Sequence, residues 1–86
     1  MEITTDDYTV QYDRGAATVS LGGFLRLNGM EEYQPVMNVL LEAVEHSTQF
    51  TIDLRELEFL NSSGISMLSM FIVKVRDMGT VALTLR

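Results

Sequence analysis

Two adjacent hydroxyls, Ser62 and Ser63, stand between Asn61 and Gly64 where a strongly apolar stretch, Ile65 to Val75, begins. Asn, Ser and Gly are residues that open helices, because a side-chain oxygen ahead of the first turn accepts from amides that lack a partner inside the helix. A hydroxyl at that place also suits reversible phosphorylation. The added phosphate sits over free amides at the positive end of the helix macrodipole and brings about -1.5 to -2 of charge. On residue types alone, an ordinary cap and a modification site are both open.

Other groups offer less chemistry. The single histidine, His46, lies at an expected helix end near Glu42 and Glu45 and reads as surface. No base or third group can be placed beside Ser62, so hydrolytic catalysis is not expected and the chain does not read as an enzyme. The carboxylate pairs Asp6 with Asp7 and Glu56 with Glu58 read as solvated, the first in a polar leader and the second in a loop. There is no cysteine, which removes disulfides, thiolate chemistry and zinc-thiolate sites. Gly22-Gly23 is followed by no Lys-Ser or Lys-Thr, which removes a phosphate loop. No metal or cofactor is expected.

The serines need elements to hold them. Phe50 to Leu54 reads as a buried central strand closing at Arg55-Glu56, and six loop residues then lead to Asn61. The helix that follows is apolar over most of its circumference, as for a helix buried against a sheet, with Arg76 and Gly79 suited to its C-terminus. Met37, Met67, Met70 and Met78 fall on or near apolar stripes and read as core filling. Thr80 to Leu85 alternates as a last strand.

Upstream, Tyr8, Val10 and Tyr12 alternate with polar residues, and Asp13-Arg14-Gly15 supplies a turn with Gly15 able to take positive φ. Ala17 to Leu27 forms the second arm, its rhythm broken at Gly22-Gly23 as at a bulge or close backbone approach. Asn28 or Gly29 caps a helix carrying Glu31 and Glu32 in its first turn and Pro35 early in its course. Its stripe of Tyr33, Val36, Met37, Leu40, Leu41 and Val44 ends near His46-Ser47. The expected order is strand, strand, helix, strand, helix, strand. The fold class is α/β, with a mixed sheet, an N-terminal antiparallel hairpin and crossover helices.

Composition bounds the rest. The 86 residues form one domain, 1–86, and 47% hydrophobic content against 21% charged is enough to bury a core. A net charge of -6 disfavours nucleic acid and anionic membrane surfaces and favours a basic protein partner. Stability at this size is marginal, so a homodimer or partner contact would help. The apolar run Met67 to Val73 is far shorter than the roughly 20 residues of a spanning helix. Met1 to Asp7 lacks the basic and apolar parts of a signal peptide, so cytoplasm is the expected location.

The stretch Thr51-Ile52-Asp53-Leu54 through Phe59-Leu60-Asn61-Ser62-Ser63-Gly64-Ile65, with the apolar helix and Gly79 after it, resembles the signature of STAS domains, the anti-sigma-factor antagonist family. The resemblance implies that Ser62 is phosphorylated by an anti-sigma-type serine kinase and reset by a PP2C-type phosphatase. Asn61, Ser63, Gly64 and Asp53 would then support the phosphosite or the partner contact. It implies partner switching in bacterial signal transduction and transcription regulation, with no chemistry performed by the chain. Asn61 departs from the family's usual Asp and removes a charge beside the acceptor. The family also continues through a further helix and strand where this sequence stops at Arg86, so that one sheet face would lack its cover, with truncation, disorder or a dimer that covers the gap all open. A constitutive STAS scaffold or oligomerisation domain, and a small-molecule or lipid-binding STAS module, are the alternative readings.

Overall fold

A meander of three antiparallel strands opens the fold: β1 (Glu2–Thr4), β2 (Tyr8–Asp13) and β3 (Thr18–Leu25). Then come α1 (Gly29–Glu45), β4 (Gln49–Leu60), α2 (Ser62–Met78) and β5 (Ala82–Leu85). The computed structural model describes residues 2–86. The strands lie in the order β1-β2-β3-β4-β5, and the steps from β3 to β4 and from β4 to β5 are parallel. Each parallel step needs a crossover, here a helix, and such crossovers are right-handed in nearly all proteins. Because both steps advance the sheet in one direction, that handedness puts α1 and α2 on the same face. The result is a two-layer α/β fold with a mixed sheet.

The expected order lacks β1. Ile3 pairs with Val10 and packs half-buried on the core, so the polar leader contains a strand. One apolar residue among polar ones carries no alternation, and only the pairing partner reveals the element.

On the helix side, Val10, Val19, Leu21, Phe50 and Ile52 are buried, following the two-residue period of the strands. Tyr33, Val36, Leu40 and Val44 of α1 and Met67, Phe71 and Val75 of α2 close over them. Phe50 and Phe71 meet edge to face, with ring centroids 5.9 Å apart. Each large side chain so buried is worth about 1.5–3 kcal/mol. Pro35 lies inside α1 on its exposed side, where the Glu31 carbonyl it leaves without a helical donor is open to water and the helix continues past it.

The other sheet face carries polar in-register rows, Gln11, Ser20 and Asp53 in one and Thr18, Thr51 and Thr84 in another, and past the second register shift the paired Phe24 and Phe59, 40% and 46% exposed.

β4 does not stop at Leu54 but runs to Leu60, and the six residues expected as loop are strand. Its register against β3 shifts twice, between Ser20 and Gly22 and between Gly23 and Phe24, and each time β4 uses one residue more than β3. Two extra residues destroy the period of two that a sequence reading depends on. Gly23, at φ 80°, marks the break, since a Cβ there would run into the carbonyl of Asp7, which accepts from the Phe24 amide at 2.8 Å.

The hairpin turn between β2 and β3 also differs from expectation. Asp13 Oδ1 accepts from the Ala16 amide at 3.1 Å, and the residue with positive φ is Ala17, at 49°, not Gly15. A left-handed alanine costs about 1 kcal/mol against an unstrained residue. Ala17→Gly is therefore expected to raise stability by about 0.5–1 kcal/mol in urea unfolding, and a destabilised variant would show the turn to be unstrained.

Candidate functional site

Asn61 is the residue on which the mouth of α2 is built. Its backbone is extended, at φ -81° and ψ 176°, and its Oδ1 accepts from the Gly64 amide at 2.9 Å as an N-cap. The same oxygen accepts from the Tyr33 hydroxyl at 2.7 Å, while Nδ2 donates to the Leu27 carbonyl at 2.7 Å. The Asn61 amide donates to Leu25 at 3.1 Å, and its carbonyl accepts from Ile65 at 3.0 Å. One side chain thus ties the end of β3, the loop into α1, α1 itself and the start of α2.

Two neighbours fit this arrangement. The Tyr33 phenol is raised above its ordinary pKa, chiefly by burial, so it stays a neutral donor. Gly64 is buried, and a Cβ there would meet the Leu60 side chain and lie 2.7 Å from the Tyr33 hydroxyl. No side chain fits without moving the network.

The serine pair is unequal. Ser63 Oγ accepts from the Gly29 amide at 3.2 Å, joining the first turn of α2 to that of α1. Ser62, the first residue of α2, is exposed, and its hydroxyl has no hydrogen-bond partner among the described residues. Asn61 has already engaged the Gly64 amide, which leaves the amides of the first two helical residues without a partner inside the helix. No carboxylate or imidazole hydrogen-bonds Ser62 among the described residues.

Asp53 does not join this site. It lies in β4 roughly 25 Å along the strand from Asn61, at about 3.3 Å per residue. Its carboxylate is held instead by Arg55, which donates from Nε at 3.0 Å and from Nη2 at 2.8 Å. Those bonds, with the Arg55 amide, hold the Asp53 carboxyl at about 2. The pair is solvated, so its contribution is present above the usual carboxylate range and fades as pH falls toward 2. Asn28, expected to cap α1, makes no side-chain cap bond; its amide donates to Glu32 Oε1 at 3.0 Å. His46 lies 3.4 Å from an Arg14 nitrogen in an exposed contact, away from the serines.

A feature missed at the sequence level adjoins Ser62. α2 buries only one stripe, and Ile65, Met70 and Val73 on its outer side are 55%, 46% and 52% exposed. Met70 and Met78 are therefore surface residues, not core filling. Ser62, Ile65, Ser69 and Val73 recur at helical spacing, so the free hydroxyl heads the exposed stripe. A shallow groove of about 410 Å³ follows it, lined by Ser69, Met70, Val73, Lys74 and Asp77. The signal was present in a helix apolar on nearly all sides, which a sheet covers on one side only.

No protein-family model matches the chain, and a search of the curated proteins finds no match. Among the described residues no helix is long and apolar enough to cross a membrane, and no cluster of histidine, cysteine and carboxylate side chains is placed to hold a metal ion.

The Leu27 carbonyl explains why Asn stands at position 61. The atom 2.7 Å from that carbonyl must donate, which an amide does and a carboxylate cannot. Asn61→Asp is expected to lose about 1–3 kcal/mol at neutral pH. A protonated Asp could donate to Leu27, so the folded state would raise its pKa above the unfolded value. The deficit relative to the native chain should then be small below about pH 4 and grow as pH rises through the folded pKa. Urea unfolding across pH checks this, and a deficit independent of pH would refute the assignment.

Proposed function

We propose that this chain is a phosphorylation-controlled protein-interaction module of the STAS, anti-sigma-factor antagonist kind, with Ser62 as the acceptor and no chemistry of its own. The observation that carries this reading is the unpartnered, exposed hydroxyl of Ser62 at the head of the apolar stripe of α2. With Ser62 unmodified, a partner surface docks along Ile65, Met70 and Val73; a phosphate at Ser62 places about two negative charges at one end of that contact. An anti-sigma-type serine kinase and a PP2C-type phosphatase are the proposed partners, and a cytoplasmic location suits them. The net charge of -6 suits a partner with a basic contact surface.

The second reading is a constitutive scaffold of the same fold. It is favoured by Asn61, whose side chain is fully engaged in holding the helix mouth together.

Intact mass after incubation with an anti-sigma-type serine kinase and ATP separates them. The native chain and Ser63→Ala should each gain one phosphate, and Ser62→Ala none; no gain in the native chain overturns the switch. Ser62→Asp should weaken kinase binding by well over about tenfold, whereas a scaffold would keep its affinity, as read by calorimetry.

A further inference from the structure

Four methionines divide by position. Met37 and Met67 are closed into the core, at 3% and 0% exposure, whereas Met70 and Met78 stand on the surface of α2 at 46% and 43%. Thioether oxidation follows access, so a chain meeting a peroxide takes oxygen at the second pair and keeps its core. Of that pair only Met70 lines the groove of α2; Met78 is the last residue of the helix and does not.

The form of the groove shows what an oxygen on Met70 does there. Its lining falls into two rows of four-residue spacing, Ser69, Val73 and Asp77 in one and Met70 and Lys74 in the other, so it is the trough between two side-chain ridges. Met70 and Val73 are its apolar members. Lys74 stands one turn beyond Met70, within reach of it as side chains four residues apart are, and forms no ion pair among the described residues. Its ammonium has three donors and no acceptor.

We propose that Met70 is an oxidation site through which a peroxide closes the docking surface of α2. This inference rests on the reading of α2 as that surface. The thioether lone pair attacks one peroxide oxygen, the S–O bond forms as the O–O bond breaks, and after proton transfer the second oxygen leaves as water. Sulfur loses two electrons and the peroxide gains them. The product sulfoxide is polar, and its oxygen accepts from the Lys74 ammonium across one helical turn. An apolar partner side chain entering the trough then meets a polar group to which it offers no hydrogen bond. Methionine sulfoxide reductases restore the thioether, so the closure is reversible. Oxidation thus acts on the same contact as a phosphate at Ser62 and leaves the hydroxyl untouched.

Hydrogen peroxide treatment of the 86-residue chain, followed by peptide mass mapping, tests the selectivity. Met70 and Met78 should each take one oxygen about tenfold or more faster than Met37 and Met67, with the circular dichroism unchanged. Oxidation of Met67 as fast as Met70 overturns the proposal. The treated chain, freed of peroxide, is then titrated by calorimetry with the anti-sigma-type serine kinase. Its affinity should fall by about tenfold or more and return after incubation with a methionine sulfoxide reductase. Met78→Leu should lose affinity on treatment as the native chain does, whereas treated Met70→Leu should match its own untreated form. Affinity kept by the oxidised native chain, or lost equally by oxidised Met70→Leu, overturns this inference alone, because intact mass still reports phosphate uptake at Ser62. An untreated native chain that does not bind the kinase overturns both readings.

Discussion

The amide of Asn61 is the contact on which the arrangement of the helix mouth depends. It presents an acceptor to Gly64 and Tyr33 and a donor to Leu27, which a carboxylate of the same size does not. An N-cap usually satisfies one helix. Here it also fixes the loop leaving β3 and the hydroxyl of a buried tyrosine from α1. The Ser63 bond to Gly29 adds a second tie between the same two helices. Ser62 is left free because its neighbours have taken the structural work.

The handedness of chain crossovers supplies the second constraint. With β3, β4 and β5 side by side and both connections right-handed, α1 and α2 share one sheet face, and the remaining surfaces follow. The far face of the sheet is polar along the rows nearest the hairpin turn and carries the half-exposed pair Phe24 and Phe59 at its other end. The outer side of α2 is apolar and lacks a neighbour within the chain. Exposed apolar residues gathered on one element are a feature that association can use.

Much of this was legible in the residues. The alternation of Tyr8 to Tyr12, the stripe from Tyr33 to Val44, the break at Gly22-Gly23 and the stop at Gly79 all correspond to local periodicity or local backbone demand. The readings that failed each depended on a partner distant in sequence. β1 exists because β2 accepts it, and Leu54 to Leu60 stays extended because β3 tolerates two extra residues opposite it. The resemblance put Asp53 with the serine motif; the extended strand places it well along β4 from Ser62, where Arg55 binds its carboxylate. Met70 and Met78 have core chemistry and surface positions, because hydropathy names what a residue prefers and the neighbouring layer decides what it receives.

By itself, then, the sequence determined the period of most elements, the capping residues at both ends of α2 and the presence of two hydroxyls at its mouth, because these depend on neighbours within a few positions. Tertiary structure decided which serine is free, why an amide and not a carboxylate stands before it, and which apolar surfaces remain uncovered. Those answers depend on Leu27, Gly29 and Tyr33, which reach Asn61 and Ser63 only when the strands and helices close around them.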